Sequence, residues 1–220
     1  MTKLVFSLLL SLLAVSATAE RFDFFYFVQQ WPGSFCDTQR GCCFPDTGKP
    51  AAEFGIHGLW PNYVDCRPQF CNDDNELQLW EIRDLIKSLD KSWPTLACKG
   101  GRSFQFWSHE WIKHGTCSNL DQHAYFAAAL ALKAKHNLTA ILAGAGIVPS
   151  ENETYFLSSI RDAVAEGTGA KANLECNRDA DGESQLYQVY QCVDKAGTKL
   201  IDCPLSMNSK CRDRVKLPVF

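Results

Sequence analysis

Eleven cysteines, all downstream of a short apolar leader, constrain this 220-residue chain more than any other feature. In an oxidising compartment such cysteines pair, and each bridge stabilises the fold by restricting the unfolded chain. An odd number leaves at least one thiol over. The leader points to that compartment. Lys3 gives a positive end, Leu4 to Val15 is apolar, and Ala17-Thr18-Ala19 has the A-x-A form of a cleavage site. The apolar run falls short of the roughly 18 residues of a membrane span, which disfavours an uncleaved anchor. Residues 1–19 are therefore read as a signal peptide and residues 20–220 as one mature domain, exported and with no membrane partner after cleavage. No later segment is long and apolar enough to span a bilayer. Two sequons, Asn137-Leu138-Thr139 and Asn152-Glu153-Thr154, are glycosylation candidates in that setting.

Hydrophobic residues at 46% and charged residues at 21% describe a globular chain that fills a core. The formal net charge of −3 excludes the basic coat with which proteins grip duplex DNA. Any attraction for a nucleic acid must be local to a cleft.

Along the chain, Phe22 to Val28 reads as a strand ending in a Trp31-Pro32-Gly33 turn. Cys36 to Pro50 reads as a stapled loop. Phe54 to Trp60 is a second strand, stopped by Pro61-Asn62, with an irregular loop from Asn62 to Asn75. Leu77, Trp80, Ile82, Leu85, Ile86 and Leu89 predict one amphipathic helix ending before Trp93-Pro94. Further helices are predicted over Phe106–His114, closed by Gly115, over Tyr125–His136, and over Tyr155–Glu166 with Gly167 after it. Gln185–Val193 and Lys199–Ile201 read as strands joined by a hairpin turn at Asp194-Lys195-Ala196-Gly197. Strands and helices mix without regular alternation, which is the α+β pattern.

Three of the five histidines lie in two unusual contexts, Ile56-His57-Gly58-Leu59-Trp60-Pro61 and Trp107-Ser108-His109-Glu110-Trp111-Ile112-Lys113-His114-Gly115-Thr116-Cys117. On a helix Glu110, Lys113 and His114 share one face, and His109 and Lys113 are i, i+4 neighbours. Trp107 and Trp111 form an adjoining aromatic stripe that buries and holds the helix rigid. The plain alternative is an exposed charged face with satisfied histidines. A zinc site is the other competitor, but His109 and His114 are five apart and lie roughly 140° around a helix. They do not share a ligand face, so no metal is expected. Two imidazoles instead suit transphosphorylation of RNA. A base takes the proton of the 2′-hydroxyl, an acid protonates the departing 5′-oxygen, and cationic groups stabilise the phosphorane between them.

The two segments resemble the paired signatures of the ribonuclease T2 family. Phe54 to Pro61 is similar to F-x-I-H-G-L-W-P, and Trp107 to Cys117 to W-x-x-E-W-x-K-H-G-T-C. Phe22 to Gly33, Trp93 to Cys98 and the tail from Cys192 also resemble plant members of the self-incompatibility-like (S-like) branch. A computed pI near 5.9 agrees with that branch rather than with the basic pollen-rejecting enzymes.

The resemblance implies an α+β fold with a central antiparallel sheet packed by helices. It implies an endoribonuclease on single-stranded RNA, with no cofactor and no action on DNA, working as a monomer. His114 is implied as the base and His57 as the acid. Glu110 and Lys113 would stabilise the phosphorane, and His109 would bind phosphate. Trp60 would pack beside His57 or against a base. Gln30 and Phe106 would contact the first base by hydrogen bonding and stacking. His123 and His136 match nothing and are read as surface residues. The implied bridges are Cys36–Cys42, Cys43–Cys98, Cys71–Cys117, Cys176–Cys211 and Cys192–Cys203. Cys66 is then left over, to compete for Cys117 or to link two chains. The implied roles are phosphate recovery, senescence and defence, in the extracellular space, with the vacuole as the other address. A storage or RNA-binding defence protein on the same fold is the alternative function.

Overall fold

The strand Phe24–Gln30 (β1) is buried along its whole length, which is why it reads as a continuous apolar run rather than an alternating one. The computed structural model that shows this describes residues 22–98 and 102–220. The leader expected over residues 1–19 lies outside the described residues. β1 is followed by a short helix, Pro32–Cys36 (α1), and by Gly55–Asn62 (β2). Helices Ile86–Ser92 (α2), Ser103–Lys113 (α3), Gln122–Lys135 (α4) and Leu138–Gly144 (α5) come next. Thr154–Phe156 (β3), Leu157–Thr168 (α6), Asn173–Arg178 (β4), Ser184–Val193 (β5), Leu200–Ile201 (β6) and Arg214–Lys216 (β7) complete the α+β chain.

The seven-stranded sheet runs β2-β1-β5-β7-β3, with β4 and β6 also paired to β5. Described pairings are antiparallel apart from β5 with β7. Alternation along β1 divides the core. Phe25 and Phe27 pack with Trp107, Trp111, Tyr125 and Phe126 under the helices. Phe24, Tyr26 and Val28 pack on the other face with Trp60, Tyr190 and Cys192. A further cluster joins α5 and α6 to the sheet through Leu142, Ile160, Val164 and Leu186.

Five disulfides tie the loops down: Cys36–Cys42, Cys43–Cys98, Cys71–Cys117, Cys176–Cys211 and Cys192–Cys203. Cys66 is exposed and unbridged. Asn137 and Asn152 are both exposed, and the Asn137 side chain caps α5 by accepting from the amide of Ala140. Among the described residues no helix is long and apolar enough to cross a membrane.

Four local expectations are corrected. The single helix expected from Leu77 to Leu89 is a 3-10 turn, Leu79–Ile82, followed by α2. The Gln122 side chain accepts from the amide of Gln78 and donates to the carbonyl of Glu76 and to Asn75 Oδ1. It thereby pins residues 75–78 in non-helical form and leaves Trp80 exposed. The helix expected from Tyr155 begins at Leu157, because Thr154–Phe156 pairs with β7. Gly167 lies inside that helix, where a Cβ would meet Ile141, and Gly169, at φ +74°, caps it instead. Gly115 does not close α3 through a left-handed turn; it starts a 3-10 turn, and its missing side chain makes room for the Trp111 ring. His136, read as a surface residue, is buried at the end of α4, and burial lowers its pKa.

Candidate active site

His57 sits at an irregularity in β2. Val28 and Gln29 of β1 pair with Gly58 and Ile56, so His57 is the extra residue of a bulge. A bulge re-aims a side chain without ending the strand. The local backbone is held from below, because Trp93 Nε1 donates to the His57 carbonyl at 2.9 Å and Trp107 Nε1 donates to the Trp93 carbonyl at 2.7 Å. Helix α3 is thus tied through two indoles to the carbonyl of His57. Its other end is fixed by Trp111 Nε1 on the Asn75 carbonyl, by the Phe70 amide on the Lys113 carbonyl, and by the Cys71–Cys117 bridge.

Trp60 gathers the site. Its ring meets that of His57 edge to face, with centroids 4.9 Å apart, and stacks on His114 at 5.1 Å. Its Nε1 donates to Glu110 Oε2 at 2.7 Å. Gly58 permits this closeness, since a Cβ there would collide with both Trp60 Nε1 and Glu110 Oε2. His114 is not in the helix; it caps α3 at φ −123°, with its amide still bonded to the Glu110 carbonyl at 3.0 Å. Four side chains therefore meet from two elements, but not as a plain helical stripe. The exposed charged face is also set aside for Glu110 and His114, which are only 3% and 5% exposed.

Burial dominates the electrostatics. It pushes the Glu110 carboxyl up to about 8, against the Trp60 hydrogen bond and the Lys113 charge, which both lower it. It pushes His114 down to about 3, helped by Lys113, His57, His109 and Arg67. His57 is lowered by burial, partly offset by its hydrogen bond to Gln188, with Lys113 and His109 lowering it further. His109 is exposed and is lowered by partial burial and by Lys113. In mildly acidic water this leaves Glu110 protonated and His114 neutral, an acceptor nitrogen beside a cationic, donor-rich neighbourhood. Among the described residues no group of three or more His, Cys, Asp or Glu side chains is placed to share a metal ion.

The remaining expected residues lie around this centre. The half-buried Phe106 ring is 5.9 Å from His57. Gln30, at the end of β1, is buried beside Gly55 and Gln188 in register and lines a narrow cleft with Pro94 and Leu96. Sequence reasoning missed Gln188, Glu175, Tyr190 and Arg67. Gln188 receives His57, Glu175 receives Gln188 and Tyr190, and Arg67 lies 5.8 Å over the Tyr26 ring. The available signal was the recurrence of glutamine at 185, 188 and 191 in an otherwise apolar strand.

Residues 22–203 match the model of the Ribonuclease T2 family. Ribonuclease 1 of Arabidopsis thaliana is 54% identical over 213 residues, covering 96% of this chain and 92% of that protein. Two Solanum lycopersicum proteins are similar as well. Intracellular ribonuclease LX is 51% identical over 95% of this chain and 89% of its own length, and extracellular ribonuclease LE is 50% identical over 99% and 96%. The crystal structure of RNase NT in complex with 5′-AMP superposes with a TM-score of 0.88 at 51% identity, covering 91% of this chain and all of that one. With its sheet, its bridges and most of its length shared in this way, the chain belongs to the ribonuclease T2 family.

Proposed function

We propose that the protein is an endoribonuclease that cleaves single-stranded RNA by metal-independent transphosphorylation. The observation that carries this reading is the contact of both imidazoles, His57 and His114, with the one Trp60 indole that also holds Glu110. Neutral His114 takes the proton of the 2′-hydroxyl as that oxygen attacks the 3′-phosphorus. Charged His57 gives its proton to the 5′-oxygen as the P–O5′ bond breaks. The products are a 2′,3′-cyclic phosphate and a free 5′-hydroxyl. In the slower second step His57 takes a proton from water, the water oxygen attacks phosphorus, and His114 returns a proton to the 2′-oxygen. A 3′-phosphate results. The Lys113 ammonium and the protonated Glu110 carboxyl stabilise the phosphorane where its charge develops. His109 steadies the phosphate, Phe106 stacks on the first base, and Gln30 hydrogen-bonds it. DNA lacks the attacking hydroxyl and is not cut.

The leader and the bridges support action outside the cell, in phosphate recovery, senescence or defence, as a monomer. Digestion of dinucleoside phosphates with product analysis tests the chemistry. Cyclic phosphates that accumulate equally with and without EDTA, and vanish in His114→Ala, are expected. Full activity in His114→Ala sinks the mechanism, and no cleavage by the native protein favours the storage or RNA-binding reading.

A further inference from the structure

Behind His57 lies a run of polar side chains that the reaction itself does not use. Tyr190 Oη and Gln188 Nε2 both donate to Glu175 Oε2, at 2.8 and 2.7 Å. Gln188 Oε1 lies 2.6 Å from His57 Nδ1. The strand register builds this run, since Glu175 of β4 sits opposite Gln188 of β5, and Tyr190 is two residues on along the same face. Gln188 is 4% exposed, so its amide has little water with which to trade partners.

The directions of these bonds follow from chemistry. A carboxylate oxygen only accepts, so Gln188 must turn its NH2 toward Glu175. Its carbonyl oxygen then faces the imidazole, and a carbonyl also only accepts. His57 Nδ1 must therefore carry a hydrogen in either charge state. We propose that Glu175 is a positioning residue that orients the Gln188 amide and so fixes neutral His57 as the Nδ1–H tautomer. Nε2 is then the one nitrogen through which His57 gives and regains its proton. This rests on the acid role proposed for His57. Free histidine prefers the other tautomer, so the bias must come from the protein. A second-sphere bond of this kind also holds the ring's orientation.

The groups that face His57 are Lys113, His109 and His114 from α3 and its cap, Trp60 from β2, and Gln188 backed by Glu175 from the sheet. Of these, Gln188 is the one that favours the charged ring, while Lys113 and His109 oppose it.

Long-range ¹H–¹⁵N spectra of the full-length protein, taken above the His57 titration and assigned with His57→Asn, read the tautomer directly. The native ring is expected to show a protonated Nδ1 and a bare Nε2. In Glu175→Gln the partner no longer has to accept, the Gln188 amide is free to turn, and the ring should move toward Nε2–H. In the same variant kcat on a dinucleoside phosphate should fall about tenfold, the scale of one lost charge-assisted bond. KM should change less than twofold, and the alkaline limb of the pH profile should move to lower pH. Tyr190→Phe, which leaves Gln188 in place, should keep the native tautomer. A native ring protonated at Nε2, or a Glu175→Gln ring and profile identical to native, overturns the proposal. Failure of the native protein to cleave RNA, with the Nδ1–H signature present, would instead sink the acid role and leave the positioning standing.

Discussion

Trp60 Nε1 donates to Glu110 Oε2 across 2.7 Å, and both side chains are buried. The bond joins β2 to α3 at the point where the two imidazoles converge on the indole. Trp60→Phe keeps an aromatic face for His114 but removes the donor. A buried acceptor left unpaired costs about 1–3 kcal/mol, so thermal unfolding should shift down by several degrees. Activity should fall at least about tenfold, with kcat affected more than KM, because Glu110 loses its orientation. Steady-state kinetics beside calorimetry on this one variant checks both, and unchanged kcat would show that the bond serves stability alone.

Stability should depend on pH in a way set by two opposed buried groups. His114 falls from 6.5 to about 3 on folding. Below pH 6.5 the unfolded chain binds more protons there, so stability rises with pH between about 3 and 6.5. Glu110 rises from 4.5 to about 8, so the folded chain binds more protons and stability falls with pH across that interval. The slopes cancel in the overlap. Urea unfolding followed from pH 3 to 9 should therefore give a plateau between about 4.5 and 6.5, with a decline on each side. His114→Asn should flatten the acid decline, and Glu110→Gln the alkaline one, by amounts on the order of a few kcal/mol.

The rate profile has a related sign argument. In the proposed mechanism the base must be neutral and the acid charged, so kcat/KM should rise as His114 loses its proton and fall as His57 loses its own. With His114 near 3 and His57 held below its ordinary 6.5, the bell lies wholly on the acidic side of neutrality. Lys113 lowers both rings. Lys113→Gln should therefore carry both limbs upward by roughly half a pH unit while reducing kcat about 10²-fold, as phosphorane stabilisation is lost. A profile on a dinucleoside phosphate decides, and limbs that move down refute the assignment.

Gly58 is required for space rather than for a left-handed turn. A Cβ there would strike the indole nitrogen and the Glu110 oxygen, both already engaged with each other. Overpacking of this kind costs about 1–3 kcal/mol. Gly58→Ala should remain folded, melt lower, and lose more than about 90% of its activity, as a near-attack geometry shifted by a fraction of an ångström does. An alanine variant with native kinetics would mean that the indole moves freely.

Much of this site is legible in sequence because its parts are local. His57, Gly58 and Trp60 share one strand, while Glu110, Lys113 and His114 share one helix end, so spacing alone brings each set together. β1 is legible because its apolar run leaves no other fate. What escapes is decided by distant partners. The non-helical form of residues 75–78, ahead of the turn at Leu79–Ile82, is imposed by Gln122 from α4, more than 40 residues away in sequence. The link from His57 to Glu175 needs the register of β5 against β4, which no periodicity reveals. His136 looks like a polar surface residue at a helix end, and only the packing around α4 shows it buried.

The Cys71–Cys117 bridge lies four residues beyond Lys113 and three beyond His114, beside the hydrogen bond from the Phe70 amide to the Lys113 carbonyl. It closes a separation of 46 residues, whereas Cys36–Cys42 closes one of 6. Loop-closure entropy then assigns about 4 kcal/mol to the former and about 2 kcal/mol to the latter. Cys71→Ala with Cys117→Ala should lower the urea midpoint about twice as far as Cys36→Ala with Cys42→Ala. The two pairs should also differ in kind. The first frees the end of α3, so His114 loses its fixed stack on Trp60 and kcat should fall severalfold at temperatures where the protein is still folded. The second ties the last residue of α1 to the loop that follows it and should leave kcat within a factor of two. Equal kinetic losses in both variants would mean that the bridges act only through global stability, and that the end of α3 is held by Trp111 and the Phe70 amide alone.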